Sequence, residues 1–297
     1  MNFEEETEKR TRWVENVIQS YLPKETGFQK TVLAAMNYSI LAGGKRLRPM
    51  LMKETYELFG GSGREIEPFL AAIEMVHTYS LVHDDLPAMD NDEYRRGRKT
   101  THVIYGEAMA VLAGDGLLNL AFETAAKAFT LCSDPARVGQ ALALFAAKAG
   151  VYGMIGGQCA DVEAEEKGSE MTEELLLFIH AHKTAALIQS AMMTGAVLAG
   201  ASGEDVAKIE KIGYNIGIAF QIQDDILDVT GTIEELGKPI GSDERNHKVT
   251  YVTLKGMKQA QADQKELSGE AVLLLRSFER RNLFLEDMIE ALVTRKK

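Results

Sequence analysis

The sequence predicts an all-α fold, and three observations predict it. Hydrophobic residues make up 45% of the 297, with Ala, Leu, Ile and Met in long runs that suit helix. Proline, which breaks helices, occurs six times. Apolar residues recur at helical spacing, beginning with Trp13, Val14, Val17, Ile18 and Tyr21. No linker rich in Pro, Ser or Gly separates two differently composed parts, so one domain over residues 1–297 is expected.

In order, the first helix covers about Glu5 to Leu22 and stops at Pro23. A second, from about Phe28 to Leu41, leads into Gly43-Gly44-Lys45-Arg46-Leu47-Arg48-Pro49. Paired glycines permit a tight turn, and Lys45 and Arg48, three apart, could share a face and meet a phosphate at the next helix start. A plain basic helix start reads equally well. Gly60 to Gly63 is a loop, and Pro68 starts a helix through Phe69, Ile73 and Val76. Val103 to Leu131 reads as one long apolar helix. Ser133, Asp134 and Pro135 cap the next, which runs through Gly156 and Gly157 to Asp161 and Glu165. Those glycines imply close approach of another backbone or of a ligand.

Thr172 caps a helix holding His180, Lys183 and Thr184. Lys183, alone among apolar neighbours, either snorkels or serves a site. Ser202 and Asp205 form a capping-box-like start for a helix reaching about Val229, stopped by Gly231. Thr232 to Lys248 is a long irregular stretch of the kind used as lids or connectors, and the rest closes the fold with helices.

A net charge of -11, from 33 basic and 44 acidic residues, disfavours nucleic acid and anionic membrane surfaces. The acidic N-terminus MNFEEETEKR has no apolar signal region, and no uncharged apolar run of about 18 residues suggests a membrane span. A cytoplasmic protein without stable membrane insertion is therefore expected. Cys132 and Cys159 form no metal motif and read as buried free thiols.

The chemistry concentrates in Ser80 to Gly97, SLVHDDLPAMDNDEYRRG. Asp84, Asp85 and Asp90 crowd together, which is unfavourable unless a cation sits among them. Pro87 should break the helix after Asp84 and so let the chain return Asp90 to the same ion. Arg95 and Arg96 follow, and Arg grips phosphate bidentately. A second cluster, Asp224, Asp225 and Asp228, stands at i, i+1 and i+4 in a helical pattern. Two such clusters can close on one anion through shared Mg2+, which joins one or two carboxylates to phosphate oxygens. Alone, His77, two turns before Asp84, is as well read as a core histidine.

The segments GGKRLRP, the DDxxxxD of Asp84 to Asp90 followed by RRG, KT at Lys183 and Thr184, and FQxxDDxxD at Phe220 to Asp228 resemble the trans-prenyl diphosphate synthases. The likeness covers nearly the whole chain in the family's order. It is strongest to the bacterial farnesyl diphosphate synthases, whose first acidic motif also carries two extra residues including a proline.

The resemblance implies a single-domain helical bundle around a central cavity, of the isoprenoid synthase type, usually a homodimer with three Mg2+ per active site. It implies that Asp84 and Asp90 hold two metals and Asp224 a third, with Asp85, Asp225 and Asp228 nearby. Arg95, Lys183 and Lys238 would bind an allylic diphosphate. Isopentenyl diphosphate would lie against Lys45, Arg48, His77 and Arg96. Thr184 and Gln221 would stabilise the carbocation, and the released diphosphate would take the proton.

Tyr79, about 7.5 Å down the helix from Asp84, would floor the cavity at a C15 product, with small Ser80 beside it offering little block. A C20 geranylgeranyl product and a non-catalytic partner subunit are the alternatives. A class I terpene cyclase is disfavoured by the second all-Asp cluster, and an EF-hand calcium protein by the lack of its loop motif. One departure from the family stands out: KxTYP is usual after the lid loop, whereas Lys248-Val-Thr-Tyr251 is followed by Val252. That change is expected to loosen the helix start.

Overall fold

The computed structural model describes residues 2–167, 171–230 and 249–294. Its backbone forms two compact units, Met1–Ala143 with Val197–Gly200, and Leu144–Ala196 with Ala201–Lys297. The even composition of the chain does not mark this division.

The first unit contains α1 (Phe3–Ser20), α2 (Lys30–Ile40), α3 (Leu47–Leu58) and α4 (Ile66–Asp84). A hairpin of β1 (Tyr94–Arg95) and β2 (Arg98–Lys99) follows, then α5 (Thr101–Tyr105) and α6 (Glu107–Ala126). Apolar on nearly every side, α4 has no face to offer solvent. Phe69, Leu70, Ile73, Met75 and Val76 are fully buried, and α1, α2, α3 and α6 cover it. The stripe read on α1 is real at Val14, Val17 and Ile18, while Trp13 lies at its edge beneath the Lys53 ammonium. Pro68 sits within the first turn of α4 rather than at its start, where its missing N–H still costs no hydrogen bond.

The second unit holds α8 (Met154–Lys167), α9 (Glu173–Ile179), a π-helical turn at His180–Ala185, and most of α10 (Ala186–Ala199). It continues with α11 (Gly203–Thr230), α12 (Tyr251–Lys255), α13 (Met257–Arg276) and α14 (Leu283–Thr294). Leu176, Ile218, Ile222, Ile226, Tyr251 and Ala260 form a buried cluster that joins α9, α11, α12 and α13. The expected caps are present. Thr172 Oγ1 accepts from Leu175 N at 3.2 Å, and Ser202 Oγ accepts from Asp205 N at 3.1 Å. Asp134 Oδ1 accepts from Arg137 N at 3.2 Å, starting α7 (Pro135–Ala149).

Two helices are shorter than the sequence suggests. Val103 to Leu131 breaks at Gly106, whose φ of 84° no L side chain readily adopts, and its end tightens into a 3-10 turn at Lys127–Thr130. The reading from Pro135 to Glu165 divides at a turn over residues 150–153, which brings Gly153 so near the preceding helix end that a Cβ there would lie 2.0 Å from the Lys148 carbonyl oxygen. By length and composition an 18-residue window of this stretch, with a mean hydropathy of 1.4, is nonetheless apolar enough to cross a membrane, although Arg137, Lys148 and Asp161 leave it no uncharged run of that length. The core helix of a soluble protein passes the same test. The cysteines are free, but Cys159 is exposed and Cys132 half-buried, so the expected burial is not found.

Candidate active site

In the first unit, α4 ends at Asp84 because Pro87 cannot continue it, and the chain curls back on itself. Leu86 N donates to His83 O at 3.1 Å and Asp90 N to Asp84 O at 2.9 Å. Asp84 and Asp90 are thus brought together, the first half-buried and the second exposed. Asp85 is buried, and Arg95 Nε and Nη2 each stand 2.7 Å from its Oδ1. Burial raises the Asp85 carboxyl above its ordinary range; Arg95 opposes the rise, and Asp92 and Asp90 add to it.

The β1–β2 hairpin, which the sequence reading missed, turns at Arg96 and Gly97 with φ of 53° and 73°. Two consecutive positive values are those of a type I′ turn. Arg96 Nη1 donates to Gly43 O, and a Cβ on Gly44 would lie 2.6 Å from that same nitrogen. Gly44 is therefore small because a guanidinium packs on it.

Arg46 occupies the left-handed region at φ 48° and is 5% exposed. Its Nη1 lies 2.7 Å from Glu74 Oε1, and Nη2 donates to Ile40 O at 2.8 Å. This inward residue caps α3, so Lys45 precedes the helix. The expected shared face of Lys45 and Arg48 is therefore not formed. Lys45 is exposed; Arg48 is half-buried, with its Nε buried and lacking a hydrogen-bond partner. Burial lowers the Arg48 pKa to about 10, with Glu74 opposing and Arg96 adding, which leaves it cationic at neutral pH. His77 is held well below its ordinary value by burial first, then by Arg48, Arg96, Arg95 and Arg46. The fields of those four guanidiniums all reach His77 and favour its neutral form, while a separate cavity is lined by Arg95, Arg96 and Arg98 together with Asp85. Glu74 pairs with Arg46 and Asp85 with Arg95, so an anion here would complete the fields of Arg48 and Arg96.

Farther back on α4, Tyr79 is 5% exposed and its buried hydroxyl has no hydrogen-bond partner. Burial, with Asp84 adding, pushes the phenol up to about 12. Ser80 Oγ donates to His77 O at 2.9 Å, so it serves its own helix.

In the second unit, Lys183 and Thr184 lie on the π-helical turn, a conformation common at functional sites. Lys183 Nζ stands 2.5 Å from Asp161 Oδ2, and Asp161 is buried. A Cβ on Gly157 would meet Lys183 N at 2.1 Å, so at that glycine the close approach is of another backbone. The buried Thr184 hydroxyl donates to Gln221 Oε1, leaving the Thr184 oxygen lone pairs as acceptors.

On α11, Asp224 is exposed, whereas Asp225 and Asp228 are buried. Asp225 Oδ2 accepts from Tyr251 N at 2.7 Å. The helix start expected to loosen at Val252 is instead held by a capping box. Thr250 N donates to Thr253 Oγ1 at 2.9 Å, and Thr253 N to Thr250 Oγ1 at 3.3 Å. Lys238, Gly231 and the stretch Thr232 to Lys248 lie outside the described residues.

Among the described residues no three His, Cys, Asp or Glu side chains form a metal cage. The donor set of each cluster is nonetheless carboxylate oxygen alone, which suits Mg2+, an ion that keeps waters and takes only one or two carboxylates.

A family model described as polyprenyl synthetase matches residues 29–282. The chain belongs to the polyprenyl synthetase family. It is 47% identical over 247 residues to a chloroplastic geranylgeranyl pyrophosphate synthase of Capsicum annuum, covering 83% of this chain and 66% of that longer protein. Over 241 residues it is 44% identical to a farnesyl diphosphate synthase of Geobacillus stearothermophilus, covering 81% and 80%. Among solved structures, an FPP/GFPP synthase from Zymomonas mobilis superposes with a TM-score of 0.88 at 30% identity, covering 99% of each chain. A geranyltransferase from Helicobacter pylori, solved with magnesium and isoprenyl diphosphate, gives 0.83 at 31% identity, covering 99% of this chain and 97% of that one. The all-α isoprenoid synthase fold is thereby established for this polyprenyl synthetase.

Sequence reasoning missed Arg46, Glu74, Asp161 and the Tyr251 amide. Glu74 carried a signal, being the one charge in Phe69–Val76, where a buried carboxylate demands a partner. Nothing in sequence distinguished Arg46 from Lys45 and Arg48.

Proposed function

We propose that this polyprenyl synthetase condenses isopentenyl diphosphate with the allylic dimethylallyl and geranyl diphosphates to give farnesyl diphosphate. The observation that carries this reading is the cavity lined by Arg95, Arg96 and Arg98 together with Asp85, where Arg95 stands 2.7 Å from the Asp85 carboxylate at the end of the helix that carries Asp84. Such a pocket offers cations for a metal-free diphosphate and, next to them, carboxylates for a metal-bound one.

Lys45, Arg48, His77 and Arg96 take isopentenyl diphosphate, with Arg48 Nε as a buried donor awaiting an acceptor. In the first unit Arg95, already aligned by Asp85, would bind an allylic diphosphate; in the second, Lys183, aligned by Asp161, and Lys238 are cations suited to the same class of ligand. Asp84, Asp85 and Asp90, and in the second unit Asp224, Asp225 and Asp228, would hold three Mg2+. When bound, these ions spread the charge that develops on the departing diphosphate. Thr184, which donates its proton to Gln221, turns oxygen lone pairs to the positive carbon that results. Departing diphosphate accepts the proton lost after the new carbon–carbon bond forms.

The C15 length rests on Tyr79, a buried ring about 7.5 Å along α4 from Asp84. Geranylgeranyl diphosphate is the second reading, favoured by relatives named for that product. A homodimer in the cytoplasm is part of the proposal. Tyr152, 91% exposed, and Val151, 66% exposed, are apolar side chains that a second copy would cover.

Product analysis tests this. Purified protein is given Mg2+, isopentenyl diphosphate and either dimethylallyl or geranyl diphosphate, and the products are separated by length. Dominant C15 supports the full reading, C20 or longer transfers it to the second, and no condensation with either starter overturns both.

A further inference from the structure

Gly114 lies buried in α6 against α4. A Cβ built there would stand 2.0 Å from His83 Nε2 and 2.3 Å from His83 Cδ2, so the imidazole fills the space that any side chain at 114 would need. His83 Nε2 also lies 3.1 Å from the Val111 carbonyl oxygen on the same helix. One turn back on α4, Tyr79 packs against this imidazole edge-to-face, with ring centroids 5.9 Å apart and planes at 82°. Edge-to-face pairs prefer this arrangement. Tyr79 has nothing else polar to fix it, since its buried hydroxyl makes no hydrogen bond.

We propose that Gly114 is a specificity-determining residue, and that it sets product length by admitting the His83 ring that braces Tyr79. The inference rests on Tyr79 being the floor of the cavity. A methyl at 114 evicts the imidazole, whose side chain is 29% exposed and so has solvent to enter. Tyr79 then gains the vacated volume and, lacking a hydrogen bond, swings into it. The floor drops and longer chains fit. Without the ring, His83→Ala has the same consequence. Neither change removes a group that touches diphosphate, so chain length is the quantity that moves.

The experiment compares product lengths from full-length wild type, Gly114→Ala, His83→Ala, Tyr79→Ala and the Tyr79→Ala/Gly114→Ala double variant, all with Mg2+, isopentenyl diphosphate and geranyl diphosphate. Gly114→Ala and His83→Ala should each raise the ratio of longer product to the wild-type main product about tenfold. In the Tyr79→Ala background Gly114→Ala should add nothing. If Tyr79→Ala lengthens the product and Gly114→Ala does not, the brace is overturned and the floor stands. An unchanged product from Tyr79→Ala overturns the floor, and the brace with it. Should Gly114→Ala fail to fold, Gly114→Ala/His83→Ala removes the ring that the methyl meets. That variant should fold and match His83→Ala in product length; failure to do either overturns the steric argument.

Discussion

The backbone N–H of Asp90 donates to the carbonyl of Asp84 at 2.9 Å, so the six-residue separation of these carboxylates closes into one turn. The bond is made by main chain, and therefore survives a change of side chain. Asp90→Asn should keep the melting temperature within a degree or two while lowering the condensation rate on the order of 10²- to 10³-fold, as expected when one charge partner of a transition state is lost. Thermal unfolding beside steady-state kinetics would check it. A loss of stability in proportion to activity would instead make Asp90 a structural residue.

Arg46 and Glu74 form a buried ion pair, each less than a tenth exposed, at 2.7 Å. Glu74→Ala removes the carboxylate that Arg46 Nη1 meets and leaves only Glu15, whose Oε1 lies 3.6 Å from Arg46 Nε. The expected cost is about 3 kcal/mol, the low end of the range for breaking a buried pair, because Glu15 still offsets part of the buried charge. Replacing both, as Arg46→Met with Glu74→Leu, should recover most of that loss. Urea titration of the three variants would decide, and equal destabilisation by the single and double changes would refute the account.

These two relationships also mark what the sequence disclosed. Helix starts at Thr172, Ser202 and Asp134 were legible because capping chemistry is local. The return of Asp90 was legible because Pro87 leaves the chain little else to do. Where a helix stops was less so: Gly106 and the turn before Met154 interrupt runs whose apolar pattern continues unbroken. Partners were least legible. Arg46 with Glu74 and Lys183 with Asp161 pair across 28 and 22 residues, and no local pattern encodes which cation faces inward.

His77 supplies a pH dependence of definite sign. Its folded value lies well below the 6.5 of a free imidazole, so the unfolded chain binds the proton first. The stability this neutral side chain contributes is intact above about pH 6.5 and is lost as pH falls below it toward the folded value. His77→Gln, which cannot titrate, should flatten that part of the profile. The check is urea unfolding at pH 7.5 and 5.5, where the drop in wild type should exceed the drop in the variant. Parallel drops would assign the acid sensitivity to other groups.

Thr250 links the second acidic cluster to the start of α12. Its hydroxyl accepts from Thr253 N, and the turn so fixed presents Tyr251 N to Asp225 Oδ2 at 2.7 Å. Thr250→Ala removes one arm of the box, costing about 1 kcal/mol of helix-start stability. It also releases the amide that orients Asp225, so the Mg2+ concentration needed for half-maximal rate should rise several-fold more than that for substrate. Thr250→Ser, which keeps the hydroxyl, should restore both. A rise in half-saturating Mg2+ that serine does not reverse would show that the methyl group of Thr250, not its cap, holds this end of the site together.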